Sequence, residues 1–113
     1  MLTNSKLFNL NYMTKPFIHH VYFWLKNPND AADKAALLAG LEKLSTVETI
    51  HQFFIGAPAP TDRPVIDSSY SVSWLLIFAT ADDEAVYQTH PLHLEFIDSC
   101  KHLWERVVVY DSI

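Results

Sequence analysis

Four strand-like stretches, one helix between the first two and a helical pair before the last predict an α+β sandwich for these 113 residues. Three observations carry that expectation. Residues 17–26, 71–80 and 104–110 are rich in β-branched and aromatic side chains, which suit a pleated surface. An Ala-rich stretch after Asn27-Pro28-Asn29-Asp30 places Leu37, Leu38, Leu41 and Leu44 on one helical stripe. Pro91 suits the first turn of a helix, where its missing N–H would be unpaired anyway, so a second helix begins there.

The first strand, Phe17 to Lys26, carries His19, Val21, Phe23 and Leu25 on one face and Ile18, His20, Tyr22 and Trp24 on the other. Both faces are largely apolar, which a sheet with one wet side does not need. The Asn27–Asp30 turn supplies an N-cap for a helix running to about Ser45. Val47 to Ile55 reads as the second strand, with Phe53 and Phe54 on opposite faces. Residues 56–64 form a loop stiffened by three prolines and extending toward Ser69. Ser71 to Thr80 is the third strand, again apolar on both sides. Asp82-Asp83-Glu84 puts negative charge at the start of a short helix through Tyr87, as the helix dipole favours. The Pro91 helix runs to about His102, and Trp104 to Tyr110 is the last strand.

The order β-α-β-β-α(α)-β is the split βαβ of a ferredoxin-like fold with an antiparallel four-stranded sheet. Helices cover only one face of such a sheet. The other, apolar on strands one, three and four, calls for a partner. Two copies laid sheet to sheet make a dimeric α/β barrel, a homodimer whose interface should exceed ~1,000 Å².

Residues 17–113 are expected to form one domain, and residues 1–16 an N-terminal extension. Phe8, Leu10 and Tyr12 alternate with Asn9 and Asn11, so the extension should dock as an edge strand. Half the residues are hydrophobic, 19% are charged and the net charge is −5, without a Lys/Arg cluster. Disorder, nucleic acid and anionic membranes are poor expectations for such a chain. Its apolar runs fall short of the ~18 residues a transmembrane helix needs, and a cytoplasmic protein is the default. The single cysteine, Cys100, lies on an apolar helix stripe and reads as a small core residue.

Chemistry concentrates in residues 87–96. His93, Phe96, Ile97 and Cys100 fall on one helix face, so the His93 ring should point between helix and sheet. There it is a satisfied core histidine or the polar group of a pocket, in which case a ring nitrogen should face a cavity near the Tyr87 hydroxyl and strand one. His90, pushed out of the α region by Pro91, reads as a cap or turn residue. His19, His20 and His51 could add metal ligands, yet no familiar spacing completes a site, and neither metal nor cofactor is expected. Trp24, Trp74 and Trp104 read as core or dimer packing.

Three motifs carry a resemblance: His19-x-Val21-x-Phe23-x-Leu25-Lys26, Tyr87-x-x-His90-Pro91-x-His93-x-x-Phe96 and Val109-Tyr110-Asp111. Over roughly residues 17–112 the chain resembles the Dabb family, the stress-responsive dimeric α/β-barrel domain. The resemblance implies a ferredoxin-like subunit and a homodimer. The family mixes enzymes with proteins of no known reaction. One branch, plant polyketide cyclases similar to olivetolic acid cyclase, uses the second histidine of His-Pro-x-His as base and a tyrosine three residues before the first histidine on the substrate oxygen. Carried over, these positions are His93 and Tyr87, and the strand-one histidine is His19. The alkyl-pocket residues of that branch have no matching motif here.

Three functions follow. The first is a small-molecule-binding barrel protein of unassigned reaction, with His19, Val21, Phe23, His90 and Phe96 around an apolar carbonyl or aromatic ligand. The second is a cyclase-like lyase closing an apolar polyketide-type substrate by aldol chemistry, His93 the base and Tyr87 the donor. An imidazole with pKa near ~6.5, lowered further by burial, suits the base, and a tyrosine hydroxyl suits the enolate oxygen. The third, by fold analogy, is a cofactor-independent monooxygenase.

Overall fold

The structure, a computed structural model, describes residues 15–113. The expected docking of Phe8, Leu10 and Tyr12 lies outside the described residues. The elements are β1 (Phe17–Leu25), α1 (Ala31–Leu44), β2 (Ile50–Gly56), β3 (Val72–Phe78), α2 (Ala81–Thr89), α3 (Pro91–Cys100), a 3-10 turn (Lys101–Leu103) and β4 (Trp104–Ser112). The sheet order is β2-β3-β1-β4, with every pair antiparallel. This is the ferredoxin-like α+β arrangement.

Register decides which residues meet. In β1, Val21 lies opposite Trp74 on one side and Val109 on the other; His19 lies opposite Leu76 and Asp111. Alternate residues share a face. His19, Val21, Phe23 and Leu25 therefore join Val72, Trp74, Leu76 and Phe78 on the inner face, and all eight are buried. Leu37, Leu41 and Leu44 of α1, Tyr87 of α2, and Phe96 and Cys100 of α3 pack over them in one core. Full burial of each large apolar side chain is worth ~1.5–3 kcal/mol, so this layer dominates the stability.

Local chemistry sets the element ends. The Asp30 carboxylate accepts from the Ala32 and Asp33 N–H groups and starts α1. The Thr80 hydroxyl accepts from Asp83 N–H and starts α2. The second strand begins at Ile50 rather than Val47, because Val47 N–H bonds Leu44 carbonyl and Ile50 N–H bonds Val47 carbonyl in a turn. The last helix ends at Cys100 and tightens into the 3-10 turn Lys101–Leu103, which takes in His102. The final strand runs past Tyr110 to Ser112, since Asp111 and Ser112 pair with His19 and Ile18.

Two surfaces stay open. On the outer face Ile18, Tyr22, Trp24, Leu75, Ile77 and Val108 are only half-buried, and Phe54 and Tyr110 are 65% and 66% exposed. On the inner face the helices stop short of the β4 edge, leaving Val107 and Val109 exposed beside Ile97 of α3.

Candidate functional site

The site begins with a broken helix. Pro91 has no N–H, and His90 sits at φ −62°, ψ 139°, which is extended backbone between α2 and α3. An uninterrupted helix would send the Leu92 N–H to the Gln88 carbonyl. Here Leu92 N–H donates instead to His90 Nδ1 at 3.0 Å, so His90 caps α3 with its ring. The Gln88 carbonyl is thereby orphaned at the C-terminus of α2. His93 takes it: its ring Nδ1–H donates to the Gln88 oxygen at 3.1 Å.

That bond sets the tautomer, since a carbonyl can only accept. His93 Nδ1 carries the hydrogen, and Nε2 keeps a lone pair with no protein partner among the described residues. Burial pushes the imidazole below its ordinary pKa, partly opposed by the Gln88 bond and reinforced by the nearby His19. A neutral ring with a free Nε2 is a base at neutral pH.

Around it stand two further polar groups. Tyr87 is 1% exposed, with its ring centroid 4.7 Å from that of His93 and 5.9 Å from that of His19. Its hydroxyl accepts from Trp74 Nε1–H at 3.1 Å, which leaves the hydroxyl hydrogen without an acceptor among the described residues. Burial pushes its pKa far above the ordinary tyrosine value, so it stays a protonated donor. His19 Nδ1–H donates to Asp111 Oδ1 at 2.6 Å, a pair made by their opposition in β1 and β4.

These groups share a cavity of about 140 Å³ lined by His19, Val21, Phe23, Trp74, Tyr87, Gln88, His93, Phe96, Ile97, Trp104, Val107 and Val109. Six of the seven sequence-predicted site residues line it: His93, Tyr87, His19, Val21, Phe23 and Phe96. His90 does not. Its Nδ1 caps α3 and its Nε2–H donates to Glu48 Oε1 at 3.2 Å, so the ring is committed away from the cavity. A bond to its own backbone N–H, with the bond to His90 second, holds the Glu48 carboxyl below the usual range. The cavity lies under α2 and α3 rather than α1, because Leu37, Leu41 and Leu44 fill the space beneath the first helix.

Sequence reasoning missed Asp111 and Gln88. Asp111 was within reach of it, since pairing the first and last strands antiparallel puts it beside His19. Gln88 acts through its backbone, which residue type does not reveal. A larger hollow of about 330 Å³, lined by Tyr22, Trp24, Asp67, Tyr70 and Tyr110, lies on the outer face and includes none of the predicted residues. Among the described residues no group of three or more His, Cys, Asp or Glu is placed to hold a metal ion.

Fold and cavity define a ferredoxin-like domain with one open sheet face and, on the other, a cavity lined by two imidazoles and a tyrosine. Residues 17–113 match the model of the Stress responsive A/B Barrel Domain, and the chain belongs to that family, Dabb. A Dabb protein with a ferredoxin-like fold from Mesorhizobium loti is similar, with TM-score 0.73 and 22% identity over 88% of this chain and 97% of that one. The hydroxynitrile lyase of Passiflora edulis gives TM-score 0.74 and 18% identity over 88% and 93%. A dimeric ferredoxin-like protein of unknown function from Thermobifida fusca gives 0.72 and 16% over 89% and 93%. At these identities the likeness is one of fold. No curated protein sequence matches the chain.

Proposed function

We propose that this chain is a small-molecule-binding dimeric α/β-barrel protein that performs proton transfer on a compact carbonyl compound in the His93 cavity. The observation that carries the reading is the His93 imidazole on the cavity wall, with Nδ1–H held by the Gln88 carbonyl and Nε2 without a partner among the described residues. Nε2 removes a proton beside the carbonyl while the Tyr87 O–H donates to the oxygen as it gains charge. The His19–Asp111 pair offers a second imidazole, its Nδ1–H fixed by the carboxylate. Such a set suits aldol-type chemistry, in which a carbon–carbon bond next to oxygen is made or broken. Cyclase and lyase are two directions of that chemistry, and the similar Passiflora fold carries a hydroxynitrile lyase.

The homodimer belongs to the same reading. Ile18, Leu75, Ile77 and Val108 form an apolar outer sheet face that a second copy would cover, as in the similar proteins described as dimeric.

Deuterium exchange into the methyl group of acetophenone, followed by proton NMR, tests the base without assuming the natural reaction. Wild-type protein should accelerate exchange, and His93→Gln should remove about 10²-fold or more of the acceleration while circular dichroism stays unchanged. Equal exchange by the folded variant and the wild type would remove His93 from the role.

A further inference from the structure

Two clusters of side chains dominate the cavity lining. His19, Tyr87, Gln88 and His93 make one polar group of walls, and Phe23, Phe96 and Trp104 an aromatic one. The three aromatic rings brace one another. Phe23 and Trp104 centroids are 4.9 Å apart, Phe96 and Trp104 are stacked at 5.7 Å, and Phe23 meets Phe96 edge-on at 6.1 Å. Phe23 and Phe96 are only 3% and 6% exposed, so core packing holds these walls in place. The volume of about 140 Å³ is close to the ~150 Å³ of an apolar cavity that holds one benzene ring.

We infer that the site selects a single-ring or equally compact carbonyl compound and rejects chain-extended, polyketide-type ones. The inference rests on the proton-transfer reading above and narrows its substrate class. The carbonyl lies toward Tyr87 and His93, where the unassigned hydroxyl hydrogen and the free Nε2 are. The apolar body lies against Phe23, Phe96 and Trp104. A para-alkyl chain on such a ring has to displace Trp104 or run out past Ile97, Val107 and Val109, the exposed apolar rim. The first breaks the aromatic cluster; the second leaves alkyl surface in water and pulls the carbonyl from the base. Acetone, at the other extreme, fits but leaves the aromatic walls without a partner.

The experiment compares acetone, acetophenone and 4′-pentylacetophenone by ligand-observed NMR binding and methyl deuterium exchange on the intact protein. Acetophenone should lead both others by about tenfold or more, the discrimination a pocket makes over a few methylenes. Trp104→Leu, checked for folding by circular dichroism, should raise exchange of the pentyl ketone relative to acetophenone, and Phe96→Leu gives an independent enlargement of the same wall. Equal or faster exchange of the pentyl ketone by the wild type overturns the size rule and leaves the His93 reading standing. Failure of all three ketones to bind or exchange overturns the His93 reading, and the size rule with it. Binding in the expected order without exchange upholds the size rule and removes the catalytic role.

Discussion

Gly40, in the middle of α1, controls how closely that helix approaches α3, and Gly40→Ala measures the contact. A Cβ at this position would lie 2.7 Å from Cys100 Sγ and 3.2 Å from Phe96 Cδ1. Two effects oppose each other. Alanine in a helix interior is ~0.5–1 kcal/mol better than glycine. Overpacking a filled interior costs ~1–3 kcal/mol. Neither neighbour gives way easily: Cys100 has a short side chain, and Phe96 is braced by Phe23 and Trp104. Either the helices separate or Cys100 shifts into the adjoining hollow of about 130 Å³, and the variant should range from nearly neutral to about 2.5 kcal/mol less stable than wild type. Each ~1 kcal/mol corresponds to roughly 4–8 °C in Tm for a domain of this size. Urea denaturation of Gly40→Ala, Cys100→Ala and the double variant completes the cycle. Removing Sγ relieves the shorter contact, so the two changes together should be more stable than the sum of their separate effects by ~0.5–3 kcal/mol. A Gly40→Ala protein that gains ~1 kcal/mol without coupling to Cys100 would refute the close-packed reading.

Other predictions follow from the site and the open face. Ile77→Asp, on the half-buried outer face, should leave circular dichroism intact while light scattering shows a monomer; persistence of the dimer would place the interface elsewhere. Asp111→Asn removes the charge beside His19 and should slow acetophenone exchange by about tenfold with little change in binding, since a charge-assisted hydrogen bond is roughly twice as strong as a neutral one; an unchanged rate would count against His19 in catalysis. The pH dependence of stability has a definite sign. Burial holds His93 below its ordinary 6.5 in the folded chain, so the unfolded chain takes up the proton first as pH falls. Stability tied to this group is intact above about pH 6.5 and declines below it until the folded-state pKa is passed. His20, lowered by burial and by His19, adds to the same slope. Denaturation curves between pH 7 and 5 should therefore flatten in His93→Gln, and an identical slope would contradict the shift.

The fold was legible because alternation and helical stripes are long-range demands written in residue type. The apolar faces of residues 17–26 and 71–80 had to lie in one sheet, and Leu37, Leu41 and Leu44 had to cover it. Edges were read less well. Val47 looks like a strand residue, yet the turn closing α1 claims its backbone. In the site, residue type put His93 and Tyr87 on one stretch and read His90 as a cap, which its ring is, while also setting His90 among the ligand contacts, where the cavity lining lacks it. The same Pro91 that marks the helix start also recruits the His90 ring as its cap. The space under α1 itself is filled by three leucines of ordinary size, so the hollow lies under α2 and α3 instead.

What joins these pieces is the hydrogen-bond accounting of a helix break. A continuous helix through residues 81–100 would satisfy Gln88 internally and leave His93 free to turn or to protonate at either nitrogen. The break moves the Leu92 N–H onto His90, frees the Gln88 carbonyl and gives it to His93 Nδ1–H. Across the cavity, strand register does for His19 what the break does for His93: opposition to Asp111 fixes Nδ1–H on a carboxylate. Both imidazoles are therefore held through Nδ1, with Nε2 left over. Tyr87 lies between them with its own oxygen anchored by Trp74. Neither Nε2 is among the fully buried unpaired side-chain atoms of the described residues, where Thr49 Oγ1 stands alone, so each ring can still reach water or a ligand from the cavity side. Two Nε2 atoms and one hydroxyl hydrogen, all without protein partners among the described residues and all beside one apolar void, fit a site whose remaining hydrogen bonds are made to a ligand.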